Sequence, residues 1–494
     1  MNREFLLNAL FLIFVNVLVK PFYVFGIERT IQDTVGAEAY GLYATLFSFT
    51  FLLFMVNDFG IHYFNNTTIA KHPQLIGKYF PNILVVKALL TVLYLLLVFA
   101  AAAVRGFEIE IFSLIFFIAL NHVLISLVAF LRSNISGLGM YRTDSVISTL
   151  DKLLLIGVCA VLLWGPIFPG HFKIEWFVHA QNLTWFLTAL TAFVIVKKHL
   201  RQPLRLRFNR PMLLLILKKS APFALAVFLM TAYTRFDIVI LEWLLPDGRH
   251  EAGIYAAAYR LLDAFNMVGY LFAGLLLPMF SSLLAKQDFR NRKETSGLFS
   301  LLRLSLQFIW GGTVSVAVAC FFFREELMLL MYPETATPYY GEVLAFIILT
   351  LVPFSGIFIY STLLTANNSL KKMNGLFLAG ILLNVTLNLL LIPGWKAVGA
   401  GISAFATQTL VLSGMIFLEK KELRLPLEWR QVLKITAFVL LVILTNWQLC
   451  HLPGYGWLLK FAAGIASGLV LAFLLRLIRF KMLLGLLKKQ EGIG

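Results

Sequence analysis

The chain has 494 residues, of which 60% are hydrophobic and only 14% charged, and its net charge is +17. A water-soluble protein of this length cannot bury that much apolar surface in one or two cores, so the composition excludes a soluble enzyme and indicates an integral membrane protein. The basic surplus is scattered over short loops with no room for an RNA- or DNA-binding module, which argues against nucleic acid and for contact with anionic lipid headgroups.

In hydrocarbon every backbone N–H and C=O must be satisfied internally, so a helix of roughly 20 apolar residues is the natural spanning unit. Read in chain order, spans are predicted at residues 5–26, 39–64, 80–104, 111–131, 145–165 and 176–196. A basic stretch, 197–219, follows; its apolar middle, 212–217, suits an interfacial helix. Further spans are predicted at 221–245, 253–284, 298–323, 343–366, 376–393, 398–418, 432–450 and 458–478. The first is too long, and lacks a small-residue cleavage site, for a removable signal peptide. With both termini cytoplasmic, 29 of the 42 lysines and arginines fall in cytoplasmic segments and 7 in external ones, a strong positive-inside bias. Cys159, Cys320 and Cys450 all fall in apolar spans without a spacing pattern and read as packing residues, with no disulfide or metal site expected.

The predicted fold class is all-α: a polytopic membrane protein of about 14 transmembrane helices. Its organisation is an N-terminal six-helix lobe (1–196), a basic cytoplasmic linker (197–219), a C-terminal six-helix lobe (220–418), and two additional helices with a basic tail (419–494). An internal echo supports two lobes. The second span opens Gly41-Leu-Tyr-Ala44 and the eighth opens Gly253-Ile-Tyr-Ala256, at equivalent places in the two halves. Six is even, so the repeat is expected to be parallel, around a central cavity.

Longer motifs carry a resemblance. Val35-Gly-Ala-Glu-Ala-Tyr-Gly-Leu-Tyr43 leads into the second span, which ends near Asp58-Phe-Gly60. The second half has Ser220-Ala-Pro-Phe223, Asp237-Ile-Val-Ile-Leu241, Gly253-Ile-Tyr-Ala-Ala-Ala-Tyr-Arg260 and Leu277-Pro-Met-Phe-Ser281. Leu383-Asn-Val-Thr-Leu-Asn-Leu-Leu-Leu-Ile-Pro393 and Val398-Gly-Ala-Gly-Ile-Ser403 follow. Together, over nearly the whole chain, these resemble the polysaccharide and lipid-linked oligosaccharide flippases of the multidrug/oligosaccharidyl-lipid/polysaccharide exporter superfamily. The resemblance implies two lobes that open alternately to the two sides of a bacterial inner membrane. It also implies an undecaprenyl-pyrophosphate-linked glycan as cargo, with a glycan polymerase or other polysaccharide assembly proteins as partners.

Charges inside spans are the candidate site residues, because a lone charge at the bilayer centre costs about 2.5–3.5 kcal/mol or more. Lys20, Arg235 and Arg260 are expected to bind substrate: a pyrophosphate suits the planar donor fork of Arg and the mobile point charge of Lys. Asp58 suits either a proton or sodium site or a counter-ion, and Asp237, Asp151, Lys152 and Asp263 are further candidates for either role. Arg260 and Asp263, three residues apart, suit a local pair. Asp151 and Lys152 are adjacent and each is expected to need a partner on another helix, whereas Lys87 is expected to snorkel. Six basic and five acidic residues within spans also suit a purely structural ion-pair network. Asn16, Asn57, Asn266 and Tyr233 are polar groups suited to a glycan or to helix packing.

No cofactor and no catalytic set is expected, so the chain reads as a non-enzyme. It has no Ser/His/Asp or Cys/His arrangement, no phosphate-cradling Gly-Lys-Ser/Thr loop and no metal-ligand spacing. Two alternatives stay open. A membrane glycosyltransferase or polymerase usually carries paired carboxylates on a large external loop, where this chain offers only Glu325-Glu326 without a nearby His. A multidrug exporter of the same fold would favour acidic residues and aromatics in its cavity.

Overall fold

The structure, a computed structural model, describes residues 19, 22–165, 172–200, 209–285, 292–367, 369–423 and 429–477. The described residues contain no strand. After a π-helical turn, Tyr23–Glu28, come α1 (Arg29–Leu52), α2 (Phe54–Asp58), α3 (Ile61–Lys71), α4 (Ile76–Arg105) and α5 (Ile109–Gly137). Next are α6 (Tyr141–Trp164), α7 (Ile174–His199), α8 (Arg210–Leu244), α9 (Gly248–Ala285) and α10 (Arg292–Phe322). The chain continues with α11 (Arg324–Met331), α12 (Pro338–Leu349), α13 (Leu351–Ala366), α14 (Leu370–Leu423), α15 (Trp429–His451) and α16 (Trp457–Leu474).

Among the described residues nine helices are long and apolar enough to cross a membrane, or ten if one bent pair counts as a span. One of them, α14, runs through Pro393 and is broken at Lys396 (φ 48°, ψ −130°), so it supplies two of the predicted spans. Gly36 (φ 80°, ψ 169°) similarly interrupts α1, and only glycine enters that backbone region without strain. The second predicted span therefore begins at Ala37.

The chain forms two compact units, residues 1–253 and 254–494. In the first, α5 packs on α7 and on α3, and α8 lies along α1 and α3, so packing groups the seventh span with the first six. Its core gathers Ile61, Phe80, Ile83, Phe130, Leu131 and Ile135, with Phe80 stacked on Phe130 at 5.4 Å. In the second, most of the Pro338–Ala366 span is buried against α10 and α14, whereas few residues of the Trp429–His451 and Trp457–Leu474 spans are buried. The C-terminal pair packs on α10 through Val314, Val318, Phe438, Val442 and Ala472 and leaves most of its apolar surface for lipid.

Candidate functional site

Span two breaks where its polar residues begin. α1 and α2 meet at Leu53, and the two arms bend by 46°. Immediately after Asp58 the chain takes two left-handed residues, Phe59 (φ 49°) and Gly60 (φ 64°), before α3 starts. Such a break frees backbone groups that the bilayer cannot satisfy, so side chains must. Asp58 does this, since its Oδ2 accepts from the Gly60 N–H at 3.2 Å and from His62 Nδ1 at 2.8 Å. Its Oδ1 accepts from Ser126 Oγ at 3.2 Å and lies 3.6 Å from Lys87 Nζ. Lys87 in turn donates to Ser126 Oγ at 2.5 Å. The expected snorkelling of Lys87 is corrected here: it is 5% exposed and turns inward, because a buried carboxylate one helix away satisfies its charge better than a stretched path to water. Asn57, one residue before Asp58, accepts from Thr91 and donates to the His122 carbonyl, tying α2 to α4 and α5.

Above the break lies an aromatic cage. Phe47, Phe51 and Phe54 fall on one face of α1 and α2, and their rings surround the fully buried His122 with centroids 4.6, 5.2 and 5.9 Å away. His122 Nε2 reaches Thr50 Oγ1 at 3.0 Å and the Phe47 carbonyl at 3.3 Å, and only a protonated Nε2 can donate to that carbonyl. Its Nδ1 is buried with no hydrogen-bond partner among the described residues. Arg235, half-buried on α8, places its guanidinium 5.8 Å from the Phe51 ring centroid and is an electrostatic neighbour of His122.

The other predicted residues disperse. Lys20 and Asn16 lie outside the described residues. Asp237 is buried on α8, two residues beyond Arg235. Asp151 and Lys152 were expected to need separate partners; instead they pair with each other at 3.2 Å. Lys152 also sits over the rings of Tyr23 (4.6 Å) and Trp185 (5.4 Å), so its flexible stem curls back to its neighbour while aromatic faces hold the ammonium. In the second unit Arg260 is 5% exposed and donates to the Tyr332 hydroxyl at 2.9 Å. Asp263, by contrast, is exposed. The structure thus gathers Asp58 with Lys87 and Asp151 with Lys152. The reading of the sequence missed His62, His122, Ser126 and the phenylalanine cage. The cage had a signal, since Phe47, Phe51 and Phe54 recur at helical spacing; for the lone His122 nothing in the sequence marked a site.

A cavity of about 280 Å³ lies between α6 and α7, lined by Val158, Leu162, Trp176, His179, Ala180 and Leu183. Its walls are apolar apart from the His179 ring, so it suits hydrocarbon and not a phosphate. The three cysteines are free thiols. Among the described residues no three His, Cys, Asp or Glu side chains cluster to hold a metal ion.

A family model described as polysaccharide biosynthesis protein matches residues 5–284. A search of curated protein sequences returned no match. Solved structures share the fold. The lipid II flippase MurJ in an inward closed conformation superposes with TM-score 0.70 at 15% identity, over 97% of this chain and 100% of that one. An inward-facing multidrug resistance MATE transporter of the MOP superfamily gives 0.63 at 14% identity, over 80% and 94%. A MOP-superfamily transporter from Pyrococcus furiosus, reported with a binding pocket of reversed polarity suggesting a different function, gives 0.57 at 13% identity, over 85% and 95%.

Proposed function

The chain belongs to the polysaccharide biosynthesis protein family, and from that premise we propose that it is an alternating-access flippase for an undecaprenyl-pyrophosphate-linked oligosaccharide. It is a multi-pass membrane protein with the MOP-superfamily transporter fold. In our reading it lies in a bacterial cytoplasmic membrane with both termini inside, and carries the glycan lipid from the inner to the outer leaflet for a polymerase or other assembly proteins to use. In this reading two lobes of the chain move against each other, and residues 419–494 stay peripheral.

The observation that carries the cargo reading is Arg235. Its guanidinium rests on Phe51 and is half-buried, on a helix that the sequence reading places inside the membrane. A pyrophosphate offers several anionic oxygens for the planar donor fork of Arg235, in a setting where attraction is stronger than in bulk water. Lys20 and Arg260 complete the proposed phosphate-binding set. The same arrangement disfavours a cationic drug: Asp58 and Asp151 are each held by a lysine, so neither stands as a vacant anionic site. Asp58 acts as a counter-ion in this state and Asp237 and Asp263 remain candidates for ion coupling.

The test is complementation of a strain lacking its lipid-linked glycan flippase, run beside a drug-efflux assay. Restored surface glycan without drug resistance is expected. Drug resistance without glycan would overturn the cargo assignment and favour the multidrug reading.

A further inference from the structure

The echo between the two halves is also a contact. Aligned in register, Gly36-Ala37 with Gly41-Leu-Tyr-Ala44 matches Gly248-Arg249 with Gly253-Ile-Tyr-Ala256, each pair of segments separated by three residues. These segments open α9 and the part of α1 that follows Gly36, and they cross at their glycines. A Cβ on Gly41 would lie 1.7 Å from the carbonyl oxygen of Arg249, and one on Gly253 would lie 1.9 Å from that of Ala37. Arg249 and Ala37 are equivalent in the repeat, so one contact is made twice with the roles exchanged, as at a two-fold axis. Only glycine permits backbones this close. Gln32, 2% exposed, donates its Nε2–H to the Gly253 carbonyl at 2.9 Å.

Beside the crossing stands an ion triad. The Glu242 carboxylate at the end of α8 lies 2.6 Å from Arg105, the last residue of α4, and 3.9 Å from Arg249 on α9. Arg105 also spreads over Phe107 and Trp243, at 5.6 and 5.9 Å from the ring centroids. Arg249 therefore serves both devices, its carbonyl in the crossing and its side chain in the triad. The arginines are 26% and 37% exposed, so the contacts lie within reach of water, where ion pairs are weak.

We propose that this is a latched seal: the Gly41–Gly253 crossing closes the transport path on the side that the charge bias makes external, and Arg105–Glu242–Arg249 holds it shut. Passage of cargo to the outer leaflet requires the triad to part and the two glycines to separate. The inference rests on the alternating-access reading, whatever the cargo.

Thr45 reports on the seal. It is 1% exposed and lies one turn beyond Gly41 on the same face of α1. In a Thr45→Cys protein whose Cys159, Cys320 and Cys450 are replaced by alanine, a membrane-impermeant maleimide applied to intact cells is expected to label slowly. Adding Glu242→Gln, or Arg105→Gln, is expected to speed labelling about fivefold, equivalent to about 1 kcal/mol of latch. Gly41→Ala, which wedges the crossing open, is expected to raise it further. Circular dichroism and size-exclusion profiles identify any variant that has not folded, and Gly253→Ala is the alternative wedge. If both wedges fold and position 45 stays protected, the seal is wrong. If the wedges expose it while Glu242→Gln and Arg105→Gln do not, the latch is wrong. Labelling is independent of cargo, so a raised rate in a protein that displays no glycan leaves the seal intact and removes only the glycolipid assignment.

Discussion

Removing the charge of Asp58 is expected to damage the first unit more than removing that of Lys87. The two groups sit 3.6 Å apart with side chains 3% and 6% exposed. At that separation their attraction is about 5 kcal/mol for an effective dielectric of about 20, a gross figure set against the cost of desolvating both. Asp58→Asn leaves Lys87 charged, buried and with Ser126 as its remaining partner, a loss of about 3–5 kcal/mol. Lys87→Met is milder, about 1–3 kcal/mol, because Asp58 keeps the Gly60 N–H, Ser126 and His62. The double variant Asp58→Asn/Lys87→Met removes both charges and is expected to recover most of the loss, with a coupling energy of at least about 2 kcal/mol. Thermal unfolding of the purified protein, followed by size-exclusion fluorescence, gives the order: Asp58→Asn least stable, Lys87→Met next, the double variant nearest the parent. A double variant no more stable than Asp58→Asn would refute the counter-ion account and return Asp58 to the candidates for ion coupling.

Arg235→Gln is expected to lower surface glycan about tenfold or more at unchanged protein level, the equivalent of one charge-assisted hydrogen bond, while Arg235→Lys keeps the charge, loses the fork and falls between. Tyr332→Phe removes a partner of the buried Arg260 and is expected to destabilise the second unit by about 1.5–3 kcal/mol. If glycan display falls with stability untouched, Tyr332 belongs to the transport path. Lys152→Gln strips Asp151, 5% exposed in its side chain, of its ion partner and lowers the melting temperature, whereas Lys152→Arg retains the charge and the ring contacts with Tyr23 and Trp185 and restores it. Equal melting for both variants would exclude the ion pair as a stabilising element.

The sequence by itself determined the class of protein, most of its spans and its family, because a bilayer imposes constraints that are local: a long apolar run must be helical, and basic loops stay inside. The break within α14 was legible as two predicted spans separated at 393–398, where Pro393 and Gly394 interrupt the run. The repeat was legible too, in the four residues Gly41–Ala44 and Gly253–Ala256, although not that the two copies touch. What only the tertiary structure decided is which charge meets which. Lys87 turns inward because Asp58 and Ser126, on two other helices, converge on it; Asp151 meets its own neighbour because the Lys152 stem bends back beneath Tyr23 and Trp185. Pairing depends on the rotation and depth of neighbouring helices, which hydropathy does not encode, since turning a helix by one residue leaves its apolar content unchanged and sends its charge to a different neighbour.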